Sequence, residues 1–105
     1  MANVRVTPGV CGFSTCVNAQ ADAAYNVSIE IESDCKLVSK LAEVLTQVSA
    51  FEEVSPPMTN TATYKAAAAS KLHCACPVPA AILKAVEVAA GLALPADVHI
   101  EISND

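Results

Sequence analysis

The stretch Ala24-Tyr25-Asn26-Val27-Ser28-Ile29-Glu30-Ile31-Glu32 carries the clearest structural instruction in the chain. Tyr25, Val27, Ile29 and Ile31 alternate with Asn26, Ser28, Glu30 and Glu32, which is the two-residue period of a strand with one buried and one wetted face. Ser33-Asp34-Cys35 ends that strand and opens a helix. Within the helix Leu37, Leu41, Val44, Leu45 and Val48 recur at helical spacing, with Lys36, Lys40, Glu43 and Gln47 opposite them.

Toward the N-terminus, Asn3 to Thr7 reads as a short strand with Val4 and Val6 on one face and Arg5 on the other, closed by Pro8-Gly9. Val10 to Asp22 shows no sustained period and reads as a long loop carrying Cys11 and Cys16. Toward the C-terminus, Phe51 to Pro57 reads as a connector. Asn60 or Thr61 caps a second helix that runs through Lys65-Ala-Ala-Ala-Ala-Ser-Lys71 to Leu72, since alanine is the best helix former. A third helix is expected over Pro77 to Ala90, with prolines where helices begin and Gly91 as its stop. A last strand alternates Val98, Ile100 and Ile102 against His99, Glu101 and Ser103.

The expected order is therefore β-β-α-α-α-β over one domain, residues 1–105. Three one-sided strands need cover on one face only, and three amphipathic helices supply it, so the predicted fold is an α+β two-layer sandwich. Its open face would carry Arg5, Glu30, Glu32, His99 and Glu101, either as a solvated surface or as the pairing surface of a homodimer.

Composition narrows the function. Of the 105 residues 53% are apolar but only 4% aromatic, so the core is built from aliphatic side chains. The net charge is −5 and the six Lys and Arg stand singly, which argues against nucleic acid as a partner. No apolar run approaches the roughly 20 residues that span a bilayer, and Met1-Ala-Asn-Val-Arg-Val6 lacks the pattern of a secretory signal. A cytoplasmic location is expected.

In a reducing cytoplasm the five cysteines, Cys11, Cys16, Cys35, Cys74 and Cys76, are free thiols, metal ligands or redox groups. Any one of them alone fits equally well as a small hydrophobe. They gather at strand ends and helix starts, however. A thiol at a helix N-terminus faces unpaired N–H groups and the positive end of the helix dipole, which favours its thiolate form. Cys35 and Cys76 are expected in such positions. If the first two strands run in the same direction, Cys11 and Cys35 emerge at one end of the sheet; if they form an antiparallel hairpin, they lie at opposite ends.

Soft thiolates suit zinc or an iron–sulfur cluster, with His73 as a further ligand, although Cys11-x4-Cys16 and Cys74-x-Cys76 are not the two-residue knuckles of structural zinc sites. Other chemistries find less support. No glycine-rich phosphate loop exists, Ser14 and Thr15 lack a His and Asp set, Glu30 and Glu32 read as a solvated pair, and His99 points outward from its strand.

Cys76-Pro-Val-Pro-Ala-Ala-Ile-Leu-Lys-Ala85 resembles the CPxP helix start of the TusA/SirA-like sulfur carriers. That resemblance implies a persulfide carried on Cys76. Over nearly the whole length, Pro8-Gly-Val-Cys-Gly-Phe13, Ser33-Asp-Cys35, His73-x-x-Cys-Pro-Val-Pro79 and Lys84-Ala-x-Glu-Val-Ala-Ala-Gly-Leu-Ala-Leu-Pro95 resemble an uncharacterised family of small cysteine-containing proteins from anaerobic microbes. This likeness singles out Cys11, Cys35 and Cys76, with His73, above Cys16 and Cys74.

Three functions are thus in play. The first is a metal-ion or iron–sulfur binding module using Cys11, Cys35 and Cys76 with His73, Cys16 or Cys74. The second is a sulfur-transfer or thiol-redox protein in which Cys76 reacts and Cys74 or Cys35 resolves it. The third is a structural or interaction domain without a chemical site, meeting a protein partner or a second copy.

Overall fold

The computed structural model describes residues 1–104. Four strands, β1 (Ala2–Val6), β2 (Thr15–Ala21), β3 (Asn26–Ser33) and β4 (Gln47–Ser49), form an antiparallel sheet in chain order. Four helices accompany them: α1 (Lys36–Val44), α2 (Ala50–Val54), α3 (Ala62–Ala69) and α4 (Val78–Ala89), with one 3-10 turn at Met58–Asn60. The α+β class and the one-sided sheet match the sequence reading. The count and order do not, and each departure has a local cause.

The expected loop over 10–22 contains β2, in which Thr15, Val17 and Ala19 turn inward while Cys16 and Gln20 turn outward. The expected first helix stops at Val44, because Leu45 leaves helical geometry at φ −102°, ψ 77°. Val48 then enters the core from β4, whose residues pair with Asn26–Ser28 of β3. The expected connector holds α2. The expected last strand is absent: Val98, Ile100 and Ile102 lie in an exposed segment without regular structure that pairs with nothing among the described residues. His99 and Glu101 therefore do not belong to the open sheet face.

The helices cover one face. α4 packs over β1 and β2, α1 over β3, and α2 and α3 pack against α4. Between the layers Val17, Val27, Leu41, Ile82, Ala85 and Val86 are fully buried. Each large aliphatic side chain so placed contributes roughly 1.5–3 kcal/mol by leaving water. The open face carries Asn3, Arg5, Cys16, Gln20, Ser28, Glu30 and Glu32, all exposed.

Side chains and turn geometry close the helix ends. Thr61 caps α3, as its Oγ1 accepts from the Tyr64 N–H at 3.1 Å and donates to the Met58 carbonyl at 2.8 Å. Glu53, buried on α2, accepts from the backbone N–H of Ala62 at 2.8 Å and of Thr63 at 2.9 Å, and also from the Thr63 hydroxyl. These bonds satisfy donors that the first turn of α3 would otherwise leave unpaired. α4 ends as its sequence predicts: Gly91, at φ +75°, donates to the Val88 carbonyl and Leu92 to that of Glu87.

Candidate functional site: the thiol end of the sheet

Register decides where the cysteines go. Val6 of β1 pairs with Thr15 of β2, and Thr15 pairs with Ser33 of β3, so these three residues form one row at one end of the sheet. Because β2 runs between them, β1 and β3 point the same way. Cys11, in the β1–β2 loop, and Cys35, immediately before α1, both lie beyond that row. The condition under which the two thiols share an end is thus met through an intervening strand that the sequence reading had taken as loop.

Hydroxyl groups hold that end together. The Thr15 and Ser33 hydroxyl oxygens are 2.7 Å apart, and the Ser33 hydroxyl donates to the Ser14 carbonyl at 3.4 Å. The same Ser33 oxygen accepts from the Cys35 N–H at 3.1 Å, and the Asp34 N–H donates to the Ser14 carbonyl at 3.3 Å. The backbone of Cys35 is therefore tied to the start of β2. Thr15 and Ser33 were not singled out as supporting residues from the sequence; Thr15 at an inward position of an alternating stretch was the available signal.

Cys35 is the N-cap of α1, and its side chain makes no capping hydrogen bond. It is half-buried against the margin of the core. Cys16 stands on the other face. It is exposed between its cross-strand neighbours Arg5 and Glu32, one of each charge. Cys11 is exposed on a loop that turns at Gly9 (φ +92°) and Gly12 (φ +72°), beside the exposed Val10 and Phe13. A left-handed φ at both positions suits glycine.

The remaining candidates lie just before α4. The Cys76 N–H donates to the His73 carbonyl at 2.9 Å, folding His73-Cys74-Ala75-Cys76 into a turn. His73 and Cys74 face solvent, while Cys76 is half-buried against the same core as Cys35. Pro77 is the N-cap of α4 and Pro79 lies in its first turn.

All five thiols are free. Among the described residues no three His, Cys, Asp or Glu side chains come close enough to hold one metal ion. The strand period gives part of the reason: Cys16 projects from the open face, whereas Cys35 leans on the helix-covered side. The donors stand separately: Cys35 and Cys76 against the core, Cys11, His73 and Cys74 exposed on loops and turns, and Cys16 on the open strand face.

Among the described residues no helix is long and apolar enough to cross a membrane. Fold and donor set define a small α+β protein with unpaired thiols grouped about strand and helix ends. The chain belongs to a family of unknown function, DUF6951, whose model matches residues 2–102. No curated protein and no solved structure matches it.

Proposed function

We propose that this protein is a cytoplasmic thiol-based binding module that takes up a thiophilic metal ion such as zinc, or an iron–sulfur cluster, with Cys11 and Cys35 as its first ligands. Cys76 and His73 follow in rank, then Cys16 and Cys74. The observation that carries the reading is the Val6–Thr15–Ser33 row, which delivers Cys11 and Cys35 to one end of the sheet. Thiolate sulfur is the donor that such metals prefer. Among the described residues no three donors stand together, so binding would draw the exposed Cys11 loop toward Cys35. Coupling of metal binding to local ordering is common in small metal-binding domains.

The test is anaerobic purification followed by metal analysis and a visible absorption spectrum, for the unaltered chain and for Cys11→Ser and Cys35→Ser. Bound zinc or a coloured cluster, lost in both variants, supports the reading. Stoichiometric metal retained by both variants contradicts the ligand assignment.

A second reading rests on Cys76, whose half-buried thiol stands directly before a proline-started helix. The Cys76 thiolate would attack the terminal sulfur of a donor persulfide. The donor's S–S bond breaks, the donor leaves as its thiolate, and Cys76 keeps the transferred sulfur as a persulfide. One added sulfur on a peptide containing Cys76, removable by reductant, supports this; its absence after incubation with a persulfide donor counts against it.

A further inference from the structure

The sheet ends at β1 with an unpaired edge. Among the described residues, Ala2–Val6 pair with β2 alone, and no other backbone hydrogen bond reaches them. The edge at the other end belongs to β4, which is only three residues long. β1 carries no proline and a single charge, Arg5, so it has few of the devices that usually discourage strand addition.

The same chain holds a segment with a strand's alternation and no partner. Residues 94–104 are exposed throughout, and no backbone hydrogen bond joins residues 93–104 to the body. Leu94, Val98, Ile100 and Ile102 are 89%, 64%, 72% and 91% exposed. The His99 ring nitrogen and a Glu101 carboxylate oxygen, two residues apart, meet at 3.3 Å, so these two side chains share one side of the segment. Val98, Ile100 and Ile102 alternate with them. The family match runs to residue 102, so this segment belongs to the shared family sequence.

We propose that residues Val98–Ile102 of one copy add as a fifth strand to the free edge of β1 in a second copy, in a reciprocal exchange that makes a dimer. The lengths agree: five residues on β1 and five from Val98 to Ile102. The faces agree as well. With Val98, Ile100 and Ile102 continuing the inward row of Ala2, Val4 and Val6 beside α4, His99 and Glu101 extend the open face next to Asn3 and Arg5. Glu101 then lies directly or diagonally across from Arg5, a pairing of opposite charges. The occupant is a second copy because one chain holds both complementary parts, while within that chain the segment makes no backbone hydrogen bond with its own β1. Reciprocal exchange between identical chains closes on itself with twofold symmetry, and main-chain strand addition is a common mode of recognition. This inference stands independently of the metal reading.

The experiment uses the full chain in reductant, so that thiols cannot crosslink copies, with light scattering to give the mass and hydrogen exchange to give protection. A dimer is expected, with residues 98–102 and β1 protected together. Ile100→Asp changes a side chain that the lone chain leaves in water, so it should preserve the fold, checked by circular dichroism, while raising the dissociation constant about a hundredfold or more. Arg5→Glu should weaken the dimer by about three- to fivefold, and adding Glu101→Lys should restore it. A monomer, whether its tail is protected by folding back or left unprotected, overturns the proposal. So does a dimer indifferent to Ile100→Asp, which would have to form through another surface such as the open sheet face.

Discussion

The hydroxyl oxygens of Thr15 and Ser33 lie 2.7 Å apart across β2 and β3, one residue from Cys16 and two from Cys35. Thr15 is almost fully buried and Ser33 half-buried, so this partly shielded contact joins the strand behind one thiol to the helix start behind another. Thr15→Val keeps the shape and removes the hydroxyl. The expected loss is about 1 kcal/mol of stability, read from the urea midpoint, together with faster hydrogen exchange at the Cys35 amide.

Glu53 is the stronger case. Its carboxylate closes the first turn of α3 through two backbone N–H groups and one hydroxyl. Glu53→Ala strands those donors beneath the surface and should cost roughly 2–4 kcal/mol. Glu53→Gln keeps an acceptor and should cost less. Chemical denaturation of both variants checks the order, and an alanine variant as stable as the glutamine one would show that the carboxylate is not the cap.

Lys71 ends α3 in the left-handed region, at φ +61°, where its N–H donates to the Ala68 carbonyl and that of Leu72 to Ala67. Glycine is the residue this position favours. Lys71→Gly is therefore expected to stabilise the protein by about 0.5–1 kcal/mol, since relief of the side-chain clash exceeds the added freedom of the unfolded chain. A thermal melt shows the sign directly.

Asp22 holds the β2–β3 turn. Its carboxylate accepts from the N–H of Asn26 at 3.0 Å and of Ala24 at 2.9 Å, and the Asn26 backbone bond is the main cause holding its pKa below the usual aspartate value. A folded-state pKa lowered in this way adds stability at pH values above the ordinary aspartate range, and that stability is lost as pH falls through the folded pKa. The gap in urea midpoint between the unaltered chain and Asp22→Ala should be open at pH 7 and close below about pH 4. A gap independent of pH would show that the charge on Asp22 contributes nothing to the turn.

Much of this architecture was legible in the residues, and the exceptions have physical reasons. β1 and β3 announced themselves by alternation of Val and Ile with polar residues. α3 showed its Thr61 cap, and α4 its proline start and Gly91 stop. β2 is faint in the sequence because its inward positions are Thr15, Val17 and Ala19: the period is present, but small side chains give it little contrast. α1 was read too long because Val48 falls in phase with a helix, while its burial is satisfied from β4. Val98, Ile100 and Ile102 alternate with polar residues as a strand would, but a strand also needs a partner, and alternation does not supply one.

The thiols show the same division. That Cys35 and Cys76 precede helices, and that Cys11 lies in the loop after the first strand, followed from local pattern. Whether Cys11 and Cys35 share an end depended on β2, a pairing between residues far apart in sequence. Cys16 lies on the opposite side of the sheet from Cys35 because the strand period leaves it no other place.

The central claim is that Cys11 and Cys35 close together around a metal. Zinc titration of the reduced, metal-free chain, followed by thiol alkylation resolved residue by residue, tests it most directly. One equivalent of zinc is expected to protect Cys11 and Cys35 together while leaving at least one other thiol reactive. Alkylation of Cys11 and Cys35 at rates unchanged by saturating zinc would contradict it.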